Sequence, residues 1–201
     1  MSKSPLRRNA NAVRIIAGRW RGRKLIFSAT PGLRPTPDRV RETLFNWLGQ
    51  DLTGWRVLDA FAGSGALGLE AASRGAAEVV LLEREPALVR SLDSVRRRLA
   101  AAQVQVVRAD AMAWMARGAP TARFDLVLLD PPYDADLTQR ALALAAPLVV
   151  PAGFVYLEAG GPAPAPPPGF DTWRTLRAGA VHAHLFKRTA HAGSAADMAT
   201  S

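Results

Sequence analysis

The chain has 201 residues and a hydrophobic content of 49%, enough for one domain of ordinary size with its own core. Because it contains no cysteine, disulfides and thiolate metal sites are excluded, which is consistent with a reducing cytoplasm. Its longest apolar run, 141–150, is interrupted by Pro147 and is far shorter than the roughly 20 residues that cross a bilayer. We therefore expect a soluble, cytoplasmic protein without a signal peptide and without a bound metal.

The formal net charge of +9 is concentrated in the first 41 residues. That segment holds eleven lysine and arginine residues and one acid, Asp38, whereas the rest of the chain holds 15 basic and 16 acidic residues. Apolar residues are interleaved with the cations, so the segment can form strands, although a solvated basic tail is the alternative. A structured cationic surface is typical of proteins that bind a polyanion, most simply nucleic acid. The candidate contacts are Arg14, Arg19, Arg21, Arg23 and Lys24.

Two basic segments, 13–20 and 23–27, are predicted to form the strands of a β-hairpin. Trp20 in this hairpin could stack on a nucleic-acid base or pack in the hairpin core. Further along, Thr36 is a predicted N-cap and Pro37 the predicted first residue of a helix, whose apolar side chains recur at helical spacing as far as Gly49.

From residue 56 onward, apolar strands alternate with helical segments. Strands are predicted at 56–60, 78–83, 104–108, 124–130 and 153–158, and helices at 66–74, 86–101, 110–117 and 136–146. This alternation is typical of βαβ units, in which helices cover both faces of a parallel sheet. Residues 160–169 predict a stiff connector, and 171–179 with 181–188 a final strand pair that gives the sheet at least one antiparallel member. The tail from Thr189 onward is expected to be disordered.

A loop of small residues, 59-DAFAGSGALG-68, follows the first strand of this series. Its glycines allow a tight turn and a close approach of a ligand to backbone N–H groups at the start of the next helix. Residues 63–68 also satisfy the pattern G-x-G-x-x-G, and Glu83 follows about 20 residues later, as in dinucleotide-binding proteins. The loop therefore predicts a cofactor site, with a nicotinamide-dependent oxidoreductase as one interpretation.

Acidic residues follow three successive predicted strands: Asp59, Glu83 and Asp110. Asp59 would repel a pyrophosphate but attract a cationic amino acid, Glu83 could accept hydrogen bonds from ribose hydroxyls, and Asp110 could accept one from an adenine amine. A ligand with an ammonium group, a ribose and an adenine fits this set better than a dinucleotide. S-adenosylmethionine has all three groups.

The fourth strand runs into Asp130-Pro131-Pro132-Tyr133, at the edge of the sheet where ligands of such folds bind. The two prolines lack N–H donors, so the segment offers hydrogen-bond acceptors, the Asp130 carboxylate and the Pro131 carbonyl, beside the ring of Tyr133. Such a set suits a planar base that carries an exocyclic amine. The residues alone leave guanine, adenine and cytosine open.

Four segments together resemble the RsmD family of bacterial methyltransferases, which make N2-methylguanine in 16S ribosomal RNA: RIIAGRWRGRKL, RPTPDRVRETLFNWL, LDAFAGSGALGLEAASRGA and LLDPPY. The resemblance spans about residues 13–188. It implies a class I S-adenosylmethionine-dependent methyltransferase (Rossmann-like) fold, with a seven-stranded, mostly parallel sheet and an N-terminal hairpin extension. The expected units are a basic extension at 1–34, a methyltransferase domain at 35–188 and a tail at 189–201. The implied substrate is the small ribosomal subunit or its assembly intermediate, and the expected state is a monomer.

The resemblance also implies roles for individual residues. The implied catalytic residues are Asp130, Pro131, Pro132 and Tyr133. The implied S-adenosylmethionine contacts are Thr36, Asp59, Phe61, Ala62, Gly63, Ser64, Gly65, Glu83, Arg84, Asp110 and Ala111. Arg34 and Arg41 are expected near the methionine end of the cofactor, with Thr36.

Three other functions compete with this interpretation. A DNA adenine-N6 or cytosine-N4 methyltransferase would need a target-recognition region, and no segment beyond the core is long enough to supply one. A nicotinamide-dependent oxidoreductase would leave the Asp130–Tyr133 motif and the basic hairpin without a role. A non-catalytic RNA-binding assembly factor would have no need of Asp59, Asp130 and Tyr133.

Overall fold

The structure is a computed structural model that describes residues 10–28, 36–118, 124–132, 135–162 and 164–189. The strands in these ranges are β1 Ala10–Arg14, β2 Lys24–Ser28, β3 Arg56–Asp59, β4 Glu78–Glu83, β5 Val104–Arg108, β6 Phe124–Leu129, β7 Val149–Ala159, β8 Phe170–Ala178 and β9 Val181–Arg188. The helices are α1 Asp38–Trp47, α2 Ala66–Ser73, α3 Pro86–Arg98, α4 Ala111–Ala116 and α5 Ala135–Ala145.

Seven strands form one sheet in the order β5-β4-β3-β6-β7-β9-β8. The pairs from β5 to β7 are parallel, and β9 is antiparallel to both of its neighbours. The predicted mostly parallel sheet with an antiparallel member is therefore confirmed. Because β3 to β7 are parallel, their carboxyl ends lie at one edge of the sheet, called here the carboxyl edge. The chain order reverses between β3 and β6, and ligands of such sheets bind at the carboxyl edge near that point.

The predicted helices on both faces of the sheet are also confirmed. Side chains of successive strand residues point to opposite faces, so Val57 joins one buried cluster and Leu58 the other. The first cluster contains residues of α1, α2 and α3, and the second contains residues of α4 and α5. None of the helices in the described ranges is long and apolar enough to cross a membrane.

The N-terminal hairpin is present, but its first strand is shorter than predicted. Strand β1 ends at Arg14, and Gly18–Trp20 forms a 3₁₀ turn. The predicted strand over 13–20 was wrong beyond Arg14 because the backbone N–H groups of Ile16 and Ala17 donate to the Glu70 carboxylate of α2, at 2.8 and 2.9 Å. A buried acceptor on another element thus replaces a partner strand.

The 3₁₀ turn also contacts the last residue of α2, Ser73, whose Oγ accepts from the Trp20 N–H at 2.9 Å. The Trp20 side chain is buried in the first cluster, together with hairpin residues Val13, Leu25 and Phe27. Of its two interpretations, the structure supports core packing for Trp20.

Helix α1 begins later than predicted. Pro37 is the N-cap, its carbonyl accepts from Val40 and Arg41, and the first helical residue is Asp38. Thr36 was therefore wrongly predicted as the cap, and its hydroxyl hydrogen-bonds Glu158 at the end of β7 instead. Arg34 and the residues from 190 onward lie outside the described residues.

Candidate active site

The glycine loop between β3 and α2 has the backbone conformation that glycine allows. Gly63 and Gly65 lie in the left-handed region, with φ of 51° and 79°, and Gly65 is the N-cap of α2. The Gly63 N–H donates to Glu83 Oε2 at 2.9 Å, which ties the loop to the end of the neighbouring strand. The loop thus brings backbone N–H groups and the start of a helix to the carboxyl edge.

Asp59, the last residue of β3, is 1% exposed. Its Oδ2 accepts from the Gly68 N–H at 2.9 Å, whereas its Oδ1 has no hydrogen-bond partner within the part of the chain that the structure describes. Burial raises the Asp59 pKa to about 7, and the negative charges of Glu83 and Glu158 add to that effect. A buried acid with an unused oxygen fits a cationic ligand group, which would satisfy Oδ1 and stabilise the ionised form.

Glu83 and Asp110 lie at the carboxyl edge. Glu83 is the last residue of β4, and Asp110 follows the end of β5 by two residues. Glu83 accepts from the backbone N–H groups of Gly63 and Glu85, at 2.9 and 2.8 Å, and so shapes the loop as well as lining it. Asp110 is exposed and caps α4, with Oδ1 2.9 Å from the Ala113 nitrogen. The capping bond uses Oδ1.

The remaining predicted cofactor contacts differ in exposure. Ala62, Ser64 and Ala111 are buried, Phe61 is half-buried and Arg84 is exposed. Their roles toward a cofactor stay predictions.

Asp130 follows the last residue of β6, one strand away from Asp59 in the sheet. Burial raises its pKa well above the ordinary value, and the charges of Glu158 and Asp59 add to the effect. Pro131 is buried and Pro132 exposed, whereas Tyr133 lies outside the described residues. An acidic acceptor therefore stands at the switch point between the two halves of the sheet.

Glu158 is a buried acid that the sequence reasoning missed. It is 2% exposed, and its Oε1 accepts from the Tyr156 hydroxyl at 3.0 Å. Burial raises its pKa, while Thr36, Tyr156 and the Arg41 guanidinium oppose the shift. The sequence carries a signal for it, because Glu158 ends the predicted strand 153–158 just as Glu83 ends the predicted strand 78–83.

Arg41 is fully buried rather than exposed to a ligand. Its guanidinium donates to Asp38 Oδ1 at 2.7 Å, to the Arg14 carbonyl at 2.8 Å and to Glu70 Oε2 at 3.4 Å. These bonds join α1, β1 and α2. The positive charge of Arg41 lowers the pKa of Glu158 and so influences the site without contact to a ligand.

The five predicted nucleic-acid contacts are all exposed on the hairpin: Arg14, Arg19, Arg21, Arg23 and Lys24. The hairpin packs on α2 and α3, and Arg98 of α3 donates to the Lys24 carbonyl at 2.8 Å. The cationic surface is therefore carried by a folded element that is attached to α2 at Glu70 and Ser73 and to the last residue of α3. Its contact with nucleic acid stays a prediction.

Comparison with known proteins identifies the family. Residues 13–187 match the family model described as Conserved hypothetical protein 95. Ribosomal RNA small subunit methyltransferase D of Escherichia coli (strain K12) is 40% identical over 200 residues, covering 97% of this chain and 100% of that protein. The chain belongs to the RsmD family.

Solved structures agree with this RsmD-family assignment. The yhhF structure from Escherichia coli superposes with a TM-score of 0.80 at 37% identity, covering 90% of this chain and 100% of that one. A Thermus thermophilus 16S rRNA N2 methyltransferase (RsmC) in complex with AdoMet and guanosine gives a TM-score of 0.66 at 26% identity, covering 92% of this chain and 52% of that one. The predicted class I methyltransferase fold is thereby confirmed.

Proposed function

We propose that this chain transfers a methyl group from S-adenosylmethionine to the exocyclic N2 amine of a guanine in 16S ribosomal RNA, within the small subunit or its assembly intermediate. The observation that carries the proposal is the juxtaposition of Asp59 and Asp130 on neighbouring strands of the carboxyl edge. One carboxylate suits an amino-acid ammonium group and the other an amine nucleophile. The name of the Escherichia coli relative supports ribosomal RNA of the small subunit as the substrate. The Thermus neighbour, solved with guanosine, supports N2 of guanine as the target.

The residues at the edge fit S-adenosylmethionine group by group. Asp59 would hold the ammonium on its unused Oδ1, Glu83 the ribose hydroxyls and Asp110 the adenine amine through Oδ2. The tight turn at Gly63 and Gly65 lets the ligand approach the backbone. When bound, the cofactor supplies an electrophilic methyl group on a sulfonium.

Asp130 and the Pro131 carbonyl would act on the amine. The lone pair of an exocyclic guanine amine is delocalised into the ring, so the planar amine is a poor nucleophile. Acceptors on both N–H bonds favour a pyramidal nitrogen and orient its lone pair for an in-line displacement. As the N–C bond forms and the bond between the methyl group and sulfur breaks, the nitrogen becomes cationic and a neutral thioether would leave. The Asp130 carboxylate stabilises the positive charge in the transition state more than in the ground state, and the amine then loses one proton to Asp130 or to solvent.

Tyr133 would stack on the target base once it leaves its helix, a contact worth roughly 1–3 kcal/mol at other sites where bases stack on aromatic rings. The exposed cations of the hairpin would bind the surrounding phosphates. Positioning and affinity thus come from different parts of the chain.

Methyl transfer from labelled S-adenosylmethionine to three substrates tests the function. Small subunits from a strain that lacks the endogenous methyltransferase, naked 16S RNA and DNA are assayed in parallel, and the product nucleoside is identified by mass spectrometry. We expect labelled N2-methylguanosine from the subunit or its precursor, and much less from naked RNA. Labelled N6-methyladenine or N4-methylcytosine in DNA would overturn the proposal.

A further inference from the structure

Glu158 and Asp130 are neighbours on adjacent parallel strands. Leu129 of β6 is paired in register with Leu157 of β7, so the residues that follow each of them stand side by side at the carboxyl edge. Both acids are on the side of the sheet that faces α1, because Leu128 and Tyr156, two residues earlier in each strand, are in the cluster of α1 to α3. Glu158 therefore lies beside the predicted catalytic acid.

The contacts of Glu158 attach the start of α1 to this edge. The Thr36 hydroxyl hydrogen-bonds its carboxylate, and Thr36 is itself 4% exposed. The Tyr156 hydroxyl donates from within β7 at 3.0 Å, and the Arg41 guanidinium of α1 supplies a positive charge nearby. Thr36 stands two residues before α1.

A buried carboxylate is a costly way to attach a segment. Removing an ion from water costs several kcal/mol, and apolar residues of similar volume often serve as well or better. Hydrogen bonds to Thr36 and Tyr156 offset part of that cost, but a neutral side chain could accept the same bonds. Hydrogen bonding alone therefore does not explain why this buried residue is an acid. Asp130 is the adjacent group on which the negative charge of Glu158 acts.

We propose that Glu158 is a positioning residue for methyl transfer, which fixes Thr36 and the start of α1 at the carboxyl edge and places a negative charge beside Asp130. The inference rests on the proposed function, because it assigns Glu158 a part in that reaction. Glu158 acts through Thr36 and Asp130, without contact to the reacting atoms.

The charge beside Asp130 has a consequence with a definite sign. The charged groups around Asp130 are Asp59 on β3 and Glu158 on β7, both of which raise its pKa, and Arg41 of α1 acts on Glu158. Neutralising Glu158 removes one negative neighbour, so the Asp130 pKa should fall. The acid limb of the kcat profile, where Asp130 takes up a proton and stops accepting from the amine, should then move to lower pH.

Two variants at Glu158 separate attachment from charge. Glu158→Gln keeps the shape and one acceptor oxygen, which can accept from Thr36 and Tyr156, but lacks the charge, so we expect kcat within about fivefold of wild type at neutral pH and an acid limb at lower pH. Glu158→Ala loses both, and kcat should fall at least about tenfold, with the Kd for S-adenosylmethionine changed less than threefold. Thr36→Val, which removes the hydroxyl and keeps the shape, should lower kcat in wild type and have little further effect in Glu158→Ala. Glu42→Gln, on the exposed side of α1, is the matched control and should leave kcat and the acid limb unchanged.

A second measurement does not depend on the RNA. Titration of the Asp130 carboxyl by ¹³C NMR should give a lower pKa in Glu158→Gln than in wild type, so a missing rRNA activity would refute the proposed function without hiding the electrostatic result. An unchanged Asp130 pKa together with unchanged kcat in folded Glu158→Gln and Thr36→Val would overturn the inference. A lowered melting temperature as the only effect would make Glu158 a structural residue and would overturn it equally. If Glu158→Ala fails to fold, Glu158→Gln and Thr36→Val still test the inference.

Discussion

At the scale of single residues, Asp59 shows how a binding site departs from ordinary stability. Its carboxyl is buried, its Oδ2 accepts from the Gly68 N–H, and its pKa is raised to about 7. The unfolded chain ionises this group near 3.8, so folding becomes less favourable as the pH rises from about 4 to 7, by up to about 4 kcal/mol. A cationic ligand that binds Oδ1 would stabilise the ionised carboxylate and recover part of that free energy, which would then favour ligand binding.

The affinity for S-adenosylmethionine should therefore depend on pH with a defined shape. Below pH 7 a proton competes with the ligand for Asp59, so Kd should rise toward tenfold per pH unit. Above about pH 8 the α-amino group of the ligand loses its charge, since its ordinary pKa is about 7.7–8.0. Calorimetric titration from pH 5.5 to 9 checks this, with Asp59→Asn expected to bind weakly and without the acid limb. A Kd that stays constant between pH 5.5 and 7.5 in the wild type would contradict the role of Asp59.

Asp130 should affect turnover more than cofactor binding. Asp130→Asn keeps the shape and one acceptor oxygen but lacks the charge that stabilises the cationic amine in the transition state. We expect kcat to fall roughly hundredfold, by analogy with the loss of one preorganised electrostatic group, while the Kd for S-adenosylmethionine changes less than threefold. Single-turnover kinetics and calorimetry measure the two quantities. Equal losses in both would place Asp130 in the cofactor site instead.

At the scale of elements, helix α2 serves both the cofactor loop and the N-terminal extension. Its N-cap is Gly65, and five residues later Glu70 accepts from the backbone N–H groups of Ile16 and Ala17. Glu70 also pairs with Arg74 at 2.9 Å and with Arg41 at 3.4 Å, and all three side chains are buried. Removal of one partner from a buried ion pair typically costs 3–5 kcal/mol, so Glu70 contributes strongly to stability. Through its bonds to Ile16 and Ala17 it also attaches the extension to the helix that begins at the cofactor loop.

The contact between the extension and α2 can be tested at Gly18. A Cβ at this position would lie 1.9 Å from the Ser73 carbonyl oxygen, and the residue has φ of +76°. Gly18→Ala should lower the free energy of unfolding by at least about 2 kcal/mol more than Gly22→Ala, because Gly22 has a similar φ of +81° but nothing within 4 Å of its Cβ position. Denaturant unfolding of the two variants measures the difference, and the control removes the cost of the left-handed backbone. Equal effects would mean that the turn is not packed on α2.

At the scale of the whole molecule, charge and chemistry are separated. The cationic residues are exposed on the hairpin, whereas the acids Asp59, Asp130 and Glu158 are at the carboxyl edge. Under the proposed function, a polyanion would bind the hairpin while one neutral base approaches the acids. This division is what an enzyme needs that binds phosphates strongly and acts on an uncharged amine.

The hairpin should account for the salt dependence of RNA binding. Replacement of Arg19, Arg21 and Arg23 by alanine should weaken binding to the small subunit and flatten the slope of log K against log salt by about 2, since each lost phosphate contact removes about 0.7–0.9. Filter binding at several salt concentrations measures the slope.

A matched variant carries the same loss of charge elsewhere. Arg117, Arg140 and Arg177 are exposed arginines outside the hairpin, and their replacement by alanine should change the slope much less. Equal flattening in both triple variants would assign the effect to net charge and would remove the hairpin from the RNA contact.

The local pattern predicted most of the elements because each depends on residues close in sequence. The alternation of apolar strands with helices predicted the parallel sheet, and the glycines at 63 and 65 predicted the tight loop before α2. The predictions that were wrong involve long-range partners. Strand 13–20 was predicted too long because Glu70 is more than fifty residues away, and Thr36 was predicted as a cap because its partner, Glu158, follows 122 residues later.

By itself, the sequence determined the fold class, the family, the cofactor loop and the charge of the hairpin, since composition, periodicity and contiguous motifs are local properties. Only the tertiary structure decided which acids stand together. Asp59, Asp130 and Glu158 are far apart in the chain, and the order of strands β3, β6 and β7 makes them neighbours at one edge. Burial at that edge then raises the pKa of all three, because a charge that is removed from water is stabilised only by the groups that the fold places beside it.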